Sequence, residues 1–323
     1  MIEVRDLTKK YGAHTAINEL NFSIKEGEIV GFLGPNGAGK TTTMNIITGY
    51  IAPTDGEALI DGIDIVEEPE RAKKNIGYLP DTPPVYGDMR VSEYLNFVAD
   101  IKKVRKGRAE MIKQIMEEVN IGEMGKRLIK NLSRGYRQRV GLAQAMIGWP
   151  KVIIMDEPTI GLDPKQIIEM RQVVKRLGEK HTVIMSSHIM QEVSAVCDRL
   201  LIINKGEIVA EGTPEGLAGG LQSSGGVQVI VRGEPGQVLE ALNDYPQINA
   251  KQVKAGKEAG TTELSISCEA DIDIREAVFR CMAKNDFPIL LMKPNELTLE
   301  EIFLSITASD RLGIGGETFD SNI

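Results

Sequence analysis

Cysteine is scarce in this sequence: three residues in 323, at positions 197, 268 and 281. Cys197, Cys268 and Cys281 have neither disulfide nor metal-ligand spacing, so they are expected to be small core residues in a reducing cytosol. Positive charge is outweighed, with 38 Lys and Arg against 46 Asp and Glu, a net charge of −8 and a pI near 5.2. No whole-chain basic field draws such a protein onto nucleic acid, and no nucleic-acid partner is expected. Long apolar runs are missing too. None approaches the roughly 20 residues a membrane span needs, and the polar start MIEVRDLTKKYG has no signal-peptide core. If the protein works at a membrane, another polypeptide supplies the passage.

What is present reads as an ordinary soluble globular protein, with 42% hydrophobic and 26% charged residues. The length suits two domains. Residues 1–215 alternate β-rich runs with helical stretches, the pattern of an α/β domain. EIVGFLG, VIIMDE, TVIMSS and RLLIINKG are continuous apolar runs, as expected of strands buried on both faces. MIEVRDLTKKYG and LNFSIKEGE resemble paired strands of an antiparallel layer. From about 88 to 150 a helical insert is expected, with apolar Tyr94, Phe97, Val98 and Ile101, then Ile112, Ile115, Met116 and Val119, at helical spacing. A Gly/Ser linker is expected over 216–226. Residues 227–308 then follow a β-α-β-β-α-β, ferredoxin-like order as an accessory domain, closing with a helix that starts at Thr298 with a Glu301 capping box. A loose tail is expected over 309–323.

GPNGAGKT, from Gly34 to Thr41, fits G-x-x-x-x-G-K-[ST] and lies between an apolar strand and a helix, the context a phosphate loop requires. The backbone of Gly34, Pro35, Asn36, Gly37, Ala38 and Gly39 is then expected to wrap phosphates, with Lys40 neutralising the β- and γ-groups. Thr41 is expected on Mg²⁺, and Thr42 beside the α-phosphate. VIIMDE ends in Asp156, a Mg²⁺ ligand directly or through water, and Glu157, placed to act as general base on the attacking water. A nucleotide triphosphatase follows. No N-K-x-D guanine motif is found, which disfavours a GTPase. Further along, NLSRGYRQRVGLAQAMI opens a helix with Ser133 and Gly135 among Arg134, Arg137 and Arg139, a second N-terminus suited to an anion.

The ordered set Tyr11, GPNGAGKTT, GYLPD, LSRGYRQR, VIIMDEP, GLDP and SSH resembles the ATP-binding subunit of an ABC transporter over residues 1–215. It is most similar to exporter-type subunits, including those of multidrug and gliding-motility systems. The resemblance implies ATP and Mg²⁺ as ligands, Tyr11 stacked on adenine, and His188 as a clamp on the γ-phosphate and the attacking water. It implies head-to-tail pairing with a second ATPase subunit, homodimeric or heterodimeric. Ser133 and Gly135 of one subunit would close over the phosphate held by the other. Asp163 would couple the two sites; an ordinary Asp-Pro helix start is compatible with the same residue. A separate polytopic permease is implied as partner, contacted around Pro83–Tyr94, with this chain peripheral on the cytoplasmic membrane face.

Two positions depart from that pattern. The common signature Leu-Ser-Gly-Gly-Gln is here Leu132-Ser133-Arg134-Gly135-Tyr136, leaving Arg134 to meet phosphate, an acidic partner or solvent. Asp81 stands where Gln, or Glu in some relatives, is usual; its shorter side chain reaches Mg²⁺ less directly. His14 and His181 are read as surface or structural residues.

Overall fold

A computed structural model describes residues 1–220, 226–242, 245, 249–267 and 274–294. These separate into a first unit, Met1–Pro214, and a second within Glu215–Ser309. The first unit runs β1 (Ile2–Tyr11), β2 (His14–Ile24), β3 (Ile29–Leu33), α1 (Lys40–Ile47), β4 (Asp55–Ile60), β5 (Ile63–Asp64), α2 (Pro69–Ala72) and β6 (Ile76–Leu79). It continues with α3 (Val91–Ile101), α4 (Arg108–Glu118), α5 (Arg134–Met146), β7 (Val152–Met155), α6 (Pro164–Gly178), β8 (Thr182–Ser187), α7 (Met190–Ser194), β9 (Arg199–Asn204) and β10 (Glu207–Gly212).

One sheet is antiparallel, in the order β2-β1-β4-β5. The other has the order β10-β9-β3-β8-β7-β6, parallel except where β10 adds antiparallel to β9. The residues of β3, β7 and β8 are buried without exception, which is why IVGFL of β3, VIIM of β7 and VIM within β8 are apolar runs rather than alternations. β10, at the edge, alternates exposed and half-buried positions instead. A single apolar cluster joins the two sheets and α1. In it Phe22 of β2 meets Phe32 of β3 with ring centroids 5.4 Å apart. Full burial of side chains of this size contributes about 1.5–3 kcal/mol each.

The helical insert packs a stripe of Val91, Tyr94, Leu95, Val98 and Ala99 on α3, and Met111, Ile112, Ile115 and Met116 on α4. Ile101 departs from expectation: it is 62% exposed, because α3 ends there and the buried stripe runs through Leu95 and Ala99. The Glu93 carboxylate accepts the Arg90 N–H at 2.9 Å, capping the start of α3.

The expected linker over 216–226 is corrected in part. Residues Pro214–Gly220 form a helix, α8, which Pro214 opens, the one helical position where its missing N–H costs nothing. In the second unit, β11 (Gly226–Arg232) already begins at Gly226. There follow α9 (Pro235–Leu242), β12 (Asn249–Ala255), β13 (Thr261–Ser267), α10 (Arg275–Lys284) and β14 (Ile289–Pro294). The four strands pair antiparallel in the order β12-β13-β11-β14, a split βαβ arrangement. Val229, Val231, Leu264 and Ile266 from the sheet and Val238, Val278 and Met282 from the helices make its core. The expected helix from Thr298, the tail over 309–323 and Cys268 lie outside the described residues. Cys197 and Cys281 are buried, and the Cys281 thiol donates to the Ala241 carbonyl at 3.4 Å.

Candidate functional site

Between the end of β3 and the start of α1 the chain turns tightly through Gly34–Gly39. Gly39 caps α1 at φ 108°, a backbone region that favours glycine. At Gly34 the constraint is space, since a Cβ there would fall 2.4 Å from the Ile203 carbonyl oxygen of β9. Lys40 is buried, and its ammonium donates to the carbonyls of Gly34 at 2.7 Å and Pro35 at 3.2 Å. It also lies 3.5 Å from Glu157 Oε1. The loop thus holds its own cation where a phosphate would compete for it.

The parallel register of β7 and β8 pairs Met155 with Met185, so the chain beyond β7 runs beside Ser186. Ser186, fully buried, donates its hydroxyl to Asp156 and accepts the Glu157 N–H at 2.9 Å. One hydroxyl therefore positions both acids. Asp156 is 1% exposed; burial pushes its carboxyl up, opposed by hydrogen bonds from Ser186 and Thr41. Glu157 sits at φ 47°, a left-handed backbone unusual for a side-chain-bearing residue. Its Oε2 meets His188 Nδ1 at 2.9 Å while Oε1 faces Lys40. The carboxylate is held between a cation and an imidazole.

Tyr11, Asn36, Gly37, Gly39, Lys40, Thr41, Thr42, Asp81, Glu157 and His188 line one open cleft of about 580 Å³. Asp156 stands behind it, in an adjoining cavity shared with Thr41 and Asp81. Asp81 turns Oδ1 onto the Thr82 N–H at 2.6 Å. Tyr11 is 51% exposed, with Lys9 Nζ 5.2 Å from its ring centroid. Ser133 and Gly135 do not line this cleft. Ser133 caps α5, accepting from the Tyr136 N–H at 3.4 Å, and Gly135 borders a separate small cavity with Asp163. Asp163 caps α6, accepting the Gln166 N–H at 2.9 Å. Arg134 packs over the intervening loop: a Cβ on Gly161 would meet its guanidinium carbon at 2.6 Å.

The oxygen donors present suit a hard divalent cation. The Thr41 hydroxyl and Asp156 carboxylate already hydrogen-bond, and among the described residues no group of three His, Cys, Asp or Glu converges on a metal. That is the pattern expected where phosphate oxygens complete a Mg²⁺ shell.

Sequence reasoning missed Ser186, His14 and Ile160. His14 pairs with Tyr11 across the β1–β2 hairpin and lines the same cleft, a proximity the hairpin itself signals. His181 is buried, bonds the Pro150 carbonyl at 2.7 Å and stacks on Trp149.

Residues 17–160 match the sequence profile of the family described as ABC transporter. The chain is 32% identical over 313 residues to the linearmycin resistance ATP-binding protein LnrL of Bacillus subtilis, covering 95% of this chain and 98% of that one. It is 37% identical over 213 residues to the bacitracin transport ATP-binding protein BcrA of Bacillus licheniformis, covering 65% and 69%. Among solved structures it resembles the dimeric bacterial ABC transporter cassette MJ0796, at 27% identity and TM-score 0.61 over 66% of this chain and 98% of that one. A post-hydrolysis state of the same cassette with ADP and Pi bound superposes equally well, with a TM-score of 0.61.

Proposed function

The chain belongs to the ABC transporter ATP-binding family, as an ATP-hydrolysing subunit, and from that premise we propose that it powers export through a separate polytopic permease at the cytoplasmic membrane face. The proposed cycle joins two copies of the ATPase, or this chain and a close relative, head to tail over ATP. One observation carries this reading: Ser133 and Gly135 stand at a helix N-terminus outside the cleft that contains Lys40 and Glu157. Each cleft therefore lacks its second phosphate wall until another subunit provides it. Relatives named for linearmycin resistance and bacitracin transport support export as the direction.

In the proposed mechanism Tyr11 stacks on the adenine, and the glycine-rich loop and Lys40 hold the phosphates. The Thr41 hydroxyl and Asp156, with Asp81 at the rim, would hold Mg²⁺, which when bound neutralises charge on the phosphate oxygens. Glu157 accepts the proton of the attacking water while that water adds to the γ-phosphorus and ADP departs. His188 fixes the Glu157 carboxylate and reaches the γ-phosphate. Asp163, in the loop that caps α6, relays closure between the two sites. The pairing loosens once phosphate is cleaved, and reopening moves the permease through the surface around Pro83–Tyr94. Residues 227–308 serve as an accessory domain that stabilises or regulates the pair.

Glu157→Gln tests this directly. The variant is expected to lose turnover and to run as an ATP-dependent dimer on size exclusion. Normal hydrolysis by the variant removes Glu157 as the base, and a monomer with saturating ATP removes the pairing.

A further inference from the structure

Behind the cleft, α7 holds a carboxylate that the proposed cycle does not use. Glu192 is 4% exposed, and among the described residues no lysine, arginine or histidine pairs with it. A buried carboxylate is costly unless hydrogen bonds offset its lost hydration. Here two hydroxyls do so. Thr159 and Ser187, both buried, donate to the same oxygen, Glu192 Oε2, the second at 3.1 Å. A glutamate at the third position of a helix commonly turns back to accept the N–H of the residue before the helix. That N–H is already taken, since Ile189 donates it to the Ser187 hydroxyl at 3.0 Å. Glu192 ties two loops together instead of capping its own helix.

We propose that Glu192 is a positioning residue for ATP hydrolysis, holding His188 in place against Glu157. The inference rests on the reading above that Glu157 and His188 act on the attacking water. The side chains close a ring. Thr159 comes two residues after Glu157, Ser187 immediately precedes His188, and His188 Nδ1 meets Glu157 Oε2 at 2.9 Å. Glu192 completes the ring at the back, while the His188–Glu157 contact at the front lines the cleft.

Successive strand residues face opposite ways, so Ser186 and Ser187 divide the work. Ser186 fixes Asp156 and the Glu157 N–H, and Ser187 turns away to Glu192. Glu157 is therefore anchored without Glu192. His188 is not: it lies past the end of β8, and Glu157 is its one side-chain partner among the described residues. The Ser187 hydroxyl brackets it, accepting from Ile189 on the far side and donating to Glu192. Hydrogen bonds to an ionised acceptor are shorter and stronger than neutral ones, and two of them sharing one oxygen leave either arm little room to drift. The imidazole is thereby kept at a set distance from the base, where a misplacement of about 1 Å costs about 100-fold in rate.

The test measures ATP hydrolysis by the full chain. Glu192→Leu is expected to lower kcat about 10- to 100-fold while KM for ATP stays within about two-fold, because Tyr11 and the glycine-rich loop are untouched. Glu192→Gln keeps an oxygen acceptor for both hydroxyls and is expected to return kcat to within about three-fold of wild type. Thr159→Val removes one hydroxyl and is expected to lower kcat with the same unchanged KM. In a His188→Ala background, Glu192→Leu is expected to cost less than about two-fold more, since no imidazole is left to hold. Normal kcat in Glu192→Leu, no recovery in Glu192→Gln, or a cost as large without His188 as with it overturns the positioning role and leaves Glu157 as the base. If Glu192→Leu does not fold, judged by Trp149 fluorescence, Thr159→Val decides, and its unchanged kcat overturns the inference. A His188→Ala chain that hydrolyses ATP at the wild-type rate removes the role proposed for His188 and this inference with it.

Discussion

Ser186→Ala is a small change with a large expected effect. The hydroxyl it deletes is fully buried and serves the two acids at once. Losing a donor to the Asp156 carboxylate costs about 1.5–3 kcal/mol, and orphaning the buried Glu157 N–H costs about 1–3 kcal/mol. Partial relaxation brings the sum to roughly 2–5 kcal/mol. Glu157 is the more sensitive of the two. Its left-handed backbone carries strain of about 1–3 kcal/mol and depends on that N–H being held. The single tryptophan, Trp149, stacks on His181 within the first unit, so its fluorescence reports urea unfolding of that unit alone. We expect the urea midpoint to fall accordingly. With Glu157 displaced from the water it activates, kcat for ATP is expected to drop about 10- to 100-fold, with KM changed much less. A midpoint shift worth less than about 0.5 kcal/mol together with normal turnover refutes the reasoning.

Gly34→Ala drives a Cβ to 2.4 Å from a strand carbonyl that cannot yield, so ATP affinity and the Trp149 unfolding midpoint are both expected to fall, by about 1–3 kcal/mol of stability; unchanged ATP binding contradicts this. Lys102, whose ammonium donates to the carbonyls of Ala145 and Ile147, has its pKa lowered by burial to about 8. Between about 8 and the ordinary lysine value the unfolded chain holds the extra proton, so stability gains with rising pH in that window and is insensitive to this group below it. The unfolding temperature of the wild type relative to Lys102→Met is therefore expected to climb from about pH 8 upward; a flat difference across that range counts against a desolvated ammonium.

Local features of the sequence were legible because their physics is local. The phosphate loop is defined by spacing within eight residues, and strands buried on both faces reveal themselves as unbroken apolar runs in β3 and β7. Ser186 was illegible because a serine at a strand end has no signature. Its role exists only through the register that sets β8 beside β7. The left-handed backbone of Glu157 leaves no mark in the sequence either. Ile101 and α8 misled for a different reason: periodicity shows which face of a helix is apolar but not where the helix stops, and glycines near 216–220 outweighed the proline that starts one. The contact of Arg134 with Gly161 joins residues far apart in sequence.

The central claim is that each ATP site is built from two chains, and mixing two inactive variants tests it most directly. One variant, Gly135→Asp, loses the wall at the start of α5 but keeps its cleft; the other, Lys40→Met, loses the cleft but keeps that wall. Each alone is expected to be inactive. Combined, they form mixed pairs in which one site collects both lesions and the other has none, so hydrolysis returns on mixing. A mixture as inactive as its components, or a Gly135→Asp chain that hydrolyses ATP normally by itself, contradicts the shared site.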